Sequence, residues 1–274
     1  MTYSFLPIQA TAALVMQWGY PAFSGRSKDF ADALDLTAAR DLIVACEKIC
    51  PWYGEVIVNR KAAIKILAIQ SIKGSDKPVT VLIPAAGWSP LALDLIAVNP
   101  DTAHVVEFDI ASMTEKKALY DEIAPDISSN IKCIEADISN PELLLAYIPV
   151  STENLLIILE GITYFMQAEW VRQMVETFSK KNNPLFIIEY LLPEEEINAA
   201  GRIIADTVFS IVTNTCKCPP PIRYSPRNLT DIAITYGYHN VRTFTTTEME
   251  YIRTGTNQYF QDKSDGWIAI TCMK

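Results

Sequence analysis

Residues 79–109 read VTVLIPAAGWSPLALDLIAVNPDTAHVVEFD, and few folds can hold that order of residues. Val79, Val81, Leu82 and Ile83 make a short β-branched run that suits a strand covered on both faces, as in a parallel sheet. Pro84 ends it. Ala85-Ala86-Gly87 then offer so little side chain that a ligand can approach the backbone. Ser89 stands where an N-cap belongs, with Pro90 at the first helical position, so a helix is expected to start there. Its free N–H groups and positive end would face whatever the turn holds. A second strand, His104 to Phe108, follows, with acids at Glu107 and Asp109, twenty and twenty-two residues past Gly87. An acid at that distance is placed to grip a ribose hydroxyl. The segment reads as a nucleoside-binding half-fold.

Composition narrows the partners. A net charge of −9, with no basic cluster beyond pairs such as Lys116-Lys117 and Lys180-Lys181, argues against nucleic acid as substrate. The 274 residues, 50% of them apolar, suffice for one large core. The N-terminal stretch has no basic leader and no apolar run long enough for a span, so neither a signal peptide nor a membrane anchor is expected. The six cysteines form no secreted framework. Cys216 and Cys218 lack a second pair or a nearby histidine, so no metal site is expected. These features point to a reducing, cytoplasmic setting. His104, opening a strand, and His239, in a turn, are read as ordinary surface or packing residues.

Residues 1–75 show helical periodicity, as in Ile64, Leu67, Ala68 and Ile72, and are expected to form an N-terminal helical cap. From 76 to 274 strands and helices alternate, with an insertion at 193–235. Strand-like runs fall at 79–84, 104–108, 131–135, 155–159, 185–190, 240–244 and 267–272, with helical segments near 89–98, 114–123, 141–147 and 167–179. Ser112 with Glu115 predicts a capping box, and Asn140-Pro141 a cap followed by proline. Trp170, Val171, Met174, Val175 and Phe178 share one helical face, which reads as core. No crossover helix is evident between the last two runs, which are expected to pair antiparallel at one edge. The fold class is therefore α/β, a Rossmann-like, doubly wound, seven-stranded, mostly parallel sheet with an antiparallel last strand.

A dinucleotide site would want G-x-G-x-x-G, because a pyrophosphate nearly touches the backbone. One glycine, Gly87, suits an adenosyl group carrying an amino-acid tail better. The third strand ends in Glu135-Ala136-Asp137-Ile138, an acid followed by an apolar residue, a pair that fits an adenine edge and face. The fourth, Leu156-Ile157-Ile158-Leu159-Glu160-Gly161, is apolar up to its terminal acid. A buried lone carboxylate is costly unless paired, so acids ending successive strands should converge on the ligand crevice.

From about residue 55 to 190 the chain resembles the leucine carboxyl methyltransferase family, bacterial small-molecule relatives included, within the class I S-adenosylmethionine-dependent methyltransferases. The segments are Asn59-Arg60-Lys61-Ala62-Ala63-Ile64, Leu82-Ile83-Pro84-Ala85-Ala86-Gly87, Val106-Glu107-Phe108-Asp109, Ala136-Asp137-Ile138, Leu159-Glu160-Gly161-Ile162-Thr163-Tyr164-Phe165 and Ile188-Glu189-Tyr190. The resemblance implies S-adenosylmethionine as cofactor. It implies Arg60 on the cofactor carboxylate, Ala85 and Gly87 at the turn, Glu107 and Asp109 at the ribose, Asp137 and Ile138 at the adenine, and Glu160 nearby. Tyr164, Glu189 and Tyr190 are implied to face the acceptor. The chain departs from the family at Ala85, where a glycine is usual, and at Ser89, where an aspartate is usual. The expected activity is O-methylation of a carboxylate or hydroxyl on a small molecule or a peptide chain end. A catalytically silent adenosyl-binding or scaffold subunit is the alternative, and a nicotinamide-dependent oxidoreductase a weaker one.

Overall fold

The computed structural model describes residues 6–100, 103–149, 154–181 and 183–274. Its centre is a seven-stranded sheet formed by β3 (Val79–Pro84), β4 (Ala103–Asp109), β5 (Ile131–Glu135), β6 (Asn154–Leu159), β7 (Pro184–Leu191), β8 (Arg242–Thr245) and β9 (Ile268–Met273). They lie in the order β5-β4-β3-β6-β7-β9-β8. The first five are parallel, and β9 runs antiparallel to both β7 and β8. Every side chain of β3 is buried, as its unbroken apolar run requires of a strand with a neighbour on each side and helices on both faces. The order reverses between β3 and β6, where the two halves of the sheet wind in opposite directions, and that switch opens a crevice beyond the strand ends.

The helices after β3 are α5 (Leu91–Val98), α6 (Met113–Ile123), α7 (Pro141–Leu144), α8 (Ala168–Ser179), α9 (Ala199–Cys216), which packs on the N-terminal helices, α10 (Pro226–Thr235) and α11 (Thr246–Thr254). The apolar face of α8 is core throughout, from Trp170 to Phe178. Before the sheet come α1 (Ala10–Gly19), α2 (Arg26–Asp32), α3 (Arg40–Glu47) and the twenty-residue α4 (Gly54–Lys73). A two-residue parallel ladder, β1 (Leu6–Pro7) with β2 (Leu34–Asp35), also falls in this region and lies outside the helical expectation. α4 packs against α11, α1 and α5 and reaches β7 and β9. That contact brings the middle of α4 to the ends of the central strands.

Three local expectations need correction. α5 starts at Leu91 with Pro90 as its N-cap and no side-chain cap, so Ser89 does not cap it. The Ser89 Oγ instead lies 3.4 Å from Lys61 Nζ, which donates to it. The Ser112 capping box does not form, because Ser112 sits at φ 65° and its side chain accepts no cap hydrogen bond. The N–H of Met113 donates to Glu135 Oε1 at 3.3 Å instead, so a neighbouring strand end replaces the box. The Asn140 cap is present, accepting from the N–H of Glu142 at 3.1 Å. Between the last two strands lies α11, whose capping box pairs Thr245 with Glu248. Within the 193–235 insertion, α9 and α10 stand on either side of a loop.

Candidate active site

At the carboxyl ends of β3, β4 and β6 lies a cavity of about 400 Å³, a size suited to a small ligand. The turn after β3 forms its floor. The N–H of Ala86 donates to the Phe108 carbonyl at 2.9 Å, and the N–H of Gly87 to Asp109 Oδ2 at 2.8 Å. Asp109 thus clamps the turn from the neighbouring strand, and its other oxygen accepts from the N–H of Ile110 at 2.7 Å. Gly87 has a φ of 49°, and a Cβ there would meet no atom within 4 Å. Only the left-handed backbone demands glycine, and the space beside it is open. Ala85 adopts φ 56° with a side chain that pays for that conformation.

Arg60 and Lys61, adjacent on α4, enter the cavity from above. Arg60 is 3% exposed, so its charge must be answered by protein or ligand. Its Nε lies 3.2 Å from Glu160 Oε1, its Nη1 lies 3.8 Å from Glu189 Oε1, and the same Nη1 donates to the Tyr164 hydroxyl at 3.2 Å. Lys61 Nζ donates to Glu160 Oε1 at 3.0 Å. Burial pushes the Glu160 carboxyl up, but the two cations outweigh it and hold the group below the usual carboxylate range. Burial pushes Lys61 down, and the single carboxylate beside it, opposed by the Arg60 charge, does not restore it. Glu160 is therefore the firmly ionised member of the pair. Glu189 is the reverse case: burial raises it to about 6 against the pull of Arg60 and of the Gly161 N–H, which donates at 2.7 Å. Burial likewise pushes the Tyr164 phenol up.

Six of the residues singled out in the sequence meet at this cavity: Arg60, Ala85, Gly87, Asp109, Glu160 and Tyr164. Five do not line it. Glu107 is fully buried under α6, where Lys116 Nζ lies 2.8 Å away and the Tyr120 hydroxyl donates to its carboxylate. Asp137 is exposed and accepts from the N–H of Ser139 at 2.8 Å. It stands one residue past Ala136, whose N–H donates to the Asp109 carbonyl at 2.9 Å, so it flanks the cavity beyond β4. Ile138 is buried, and its carbonyl accepts from the Trp170 indole at 2.7 Å. Glu189 lies beneath the cavity, holding the 160–164 loop through Gly161. Tyr190 points to the other face of the sheet and shares a 2.9 Å hydrogen bond with Thr271. Adjacent residues of one strand face opposite ways, so Glu189 and Tyr190 could not both line a site on one face.

Sequence reading missed several lining residues, among them Lys61, Trp18 and Trp88, and the wall formed by Leu14 and Val15 of α1 with Val208, Phe209 and Val212 of α9. Lys61 had a signal, since it follows Arg60 directly in the chain. The apolar residues had none, because a helix stripe facing a cavity looks like one facing a core. Trp18 also borders a larger, more open groove of about 860 Å³ between α1, α3 and the start of α4. No strand of the seven-stranded sheet lines that groove, so the smaller cavity is the candidate site. His104 and His239 are both exposed and line neither.

No family model matches the chain, and no curated protein matches it in sequence. Solved structures do match it in shape. A candidate methyltransferase from Thermobifida fusca superimposes with a TM-score of 0.67 at 17% identity, covering 97% of this chain and 95% of that one. A DUF574 family protein from Streptomyces avermitilis gives 0.65 at 13% identity, covering 97% of each chain. The CurJ carbon methyltransferase gives 0.53 at 11% identity, covering 97% of this chain and 67% of its own. The likeness is one of fold: this is the Rossmann-like architecture that methyltransferases of this kind use. No described helix is long and apolar enough to cross a membrane.

Proposed function

We propose that this chain is an S-adenosylmethionine-dependent O-methyltransferase whose acceptor is a carboxylate or hydroxyl on a small molecule or chain end. One arrangement carries the reading: a buried guanidinium beside a buried carboxylate, facing a one-glycine turn that an acid clamps from the next strand. The residues fit the group. An amino-acid head carries an ammonium and a carboxylate, and Glu160 and Arg60 offer their complements side by side. The Arg60 Nε meets Glu160 as an ion pair at 3.2 Å without a hydrogen bond, and the guanidinium borders the cavity beside the bare Gly161 backbone, where a Cβ would come within 3.8 Å of Nη2. Arg60 would hold the carboxylate and Glu160 the ammonium, with Asp109 at the ribose and the Ala85 and Gly87 backbone against the linker. Asp137 and Ile138 would flank the adenine beyond the Ala136 bridge. When bound, S-adenosylmethionine supplies an electrophilic methyl group on a sulfonium.

The chain's own work is then alignment and exclusion of water. Tyr164 and Phe165 follow the Glu160-Gly161 turn and stand where the charged end of the cavity gives way to the apolar end. Glu189 keeps that loop and Arg60 in register from below. The segment resemblance to leucine carboxyl methyltransferases and the shape of the neighbours support this class. The lone glycine disfavours a dinucleotide.

Calorimetry with S-adenosylhomocysteine and with NADH tests the reading: the first should bind and the second should not. Arg60→Ala should weaken S-adenosylhomocysteine binding by about 1.5–3 kcal/mol, the worth of a charged hydrogen bond. An unchanged dissociation constant removes Arg60 from the site. Binding without methyl transfer to any acceptor would favour the silent-subunit alternative, to which the strained Ala85 turn lends its one observation.

A further inference from the structure

The cavity is charged at one end and apolar at the other. Its four charged side chains, Arg60, Lys61, Asp109 and Glu160, all belong to the strand-end half. The opposite half, between α1 and α9, is walled by Leu14, Val15, Ile57, Val208, Phe209 and Val212. Its remaining polar groups are uncharged: Gln9, Thr11, Tyr53 and the Cys218 thiol. At the junction, Tyr164 is met edge-on by Phe165 at 4.8 Å and by Phe209 at 5.4 Å between ring centroids.

We propose that the acceptor is a neutral, apolar, ring-bearing molecule presenting an acidic hydroxyl, phenolic or enolic, and that it sits between α1 and α9. This inference rests on the methyltransferase reading above and selects within it. A carboxylate acceptor would have to shed its water against aliphatic walls with no cation of its own. The two cations in reach are already committed to Glu160, and the proposed donor claims Arg60.

A hydroxyl acceptor raises the question of a base. Among the described lining residues there is no histidine. Asp109 is occupied by two backbone N–H groups, Glu160 is clamped between Arg60 and Lys61, and the Lys61 Nζ is held between Glu160 and Ser89 at the strand end. The Tyr164 hydroxyl accepts from Arg60. An aliphatic alcohol, about as weak an acid as water, would find nothing here to deprotonate it. A phenol, near the tyrosine value of about 10, is ionised to about one part in a thousand at about pH 7 with no base at all, whereas an alcohol near water's value of about 15.7 is ionised to essentially none. The acceptor hydroxyl releases its proton to solvent. Its oxygen then places an electron pair on the methyl carbon as the carbon–sulfur bond breaks. That bonding pair stays on sulfur, so a neutral thioether is left. The aromatic edges of Phe165 and Phe209 suit a ring.

The test is equilibrium binding of 2-naphthol, 2-naphthoate and decahydro-2-naphthol to the full chain saturated with S-adenosylhomocysteine, followed by methyl transfer from a labelled donor. The expected result is 2-naphthol binding at least tenfold tighter than 2-naphthoate, with methylation of 2-naphthol and none of the saturated alcohol. Val212→Lys, or Val15→Lys if the first variant does not fold, should reverse the preference toward naphthoate while leaving S-adenosylhomocysteine affinity unchanged. Equal or tighter binding of naphthoate, no binding of naphthol, or methylation of the saturated alcohol overturns the proposal and leaves the cofactor assignment standing. Failure of S-adenosylhomocysteine itself to bind overturns both.

Discussion

At the strand end of the cavity, nearly every polar group answers another: Asp109 holds Gly87, Glu160 holds Lys61 and Arg60, and Glu189 holds Gly161. At the helix end, the walls are side chains of α1 and α9 that could be exchanged for others of similar size without breaking a hydrogen bond. The first region is over-determined, because removing one member strands a buried charge. The second is constrained only by volume and by the exclusion of charge. A fold divided in this way can keep its donor chemistry while its acceptor changes.

The largest expected effect separates a charge that serves the fold from one that serves the site. Glu107 and Asp109 belong to one short motif, yet Glu107 is sealed with Lys116 and lines no cavity. Lys116→Met should leave Glu107 uncompensated and cost about 3–5 kcal/mol of stability. Among molecules that remain folded, S-adenosylhomocysteine affinity should be unchanged, as denaturation and calorimetry would show. A weakened affinity would draw Glu107 back toward the ribose.

Glu189 comes next. Its carboxyl rises from an ordinary 4.5 to about 6, so the folded chain holds that proton more tightly than the unfolded chain. Its contribution is complete below pH 4.5 and is lost as pH rises through about 6. The loss is about 2 kcal/mol at most. Glu189→Gln should remove that portion of the pH dependence, read as the difference between the two stability profiles. Parallel profiles would mean that Arg60 keeps Glu189 ionised throughout.

Much of the strand end was legible because its signals are local. The apolar runs at 79–84 and 131–135 coincide with β3 and β5, and Gly87 marks the turn. What the alternation of a strand cannot reveal is which residue a helix will cover. Glu107 and Asp109 lie two apart on one face, and only the seating of Lys116 and Tyr120 on α6 distinguishes them. Tyr190 was avoidable, since its neighbour Glu189 already claimed the cavity face. α11 left a trace too, in the Thr245 to Glu248 spacing of a capping box, but the stretch beyond the strand-like run at 240–244 reads as loop. The helix end left none: Leu14, Val15 and Phe209 become cavity walls only once α1 and α9 are brought together.

Asp137 sharpens the outer border of the strand end. It is exposed and engaged only with the turn at Ser139, so Asp137→Ala should barely move the melting temperature. If the adenine reaches past the Ala136 bridge, the same change should weaken S-adenosylhomocysteine binding by roughly three- to tenfold, the worth of one exposed hydrogen bond. A shift in melting temperature without a shift in affinity would make Asp137 a turn residue and end the site at Asp109.

The smallest effect bears on the one place where the strand end is under strain. Ala85 holds φ 56°, a conformation that glycine adopts without penalty. Ala85→Gly relieves roughly 1–2 kcal/mol of backbone strain and gives back about 0.4–1 kcal/mol through the freer unfolded chain. The net should be a gain of about 0–1.6 kcal/mol. Because Ala85 lines the cavity, removing its methyl group also deepens the floor beside Gly87. Donor affinity should therefore hold or rise while acceptor preference stays put, since nothing at the helix end has changed. A loss of stability would mean that the Ala85 methyl makes packing contacts worth more than the strain. A changed acceptor preference would show that the two ends of the cavity are not separable after all.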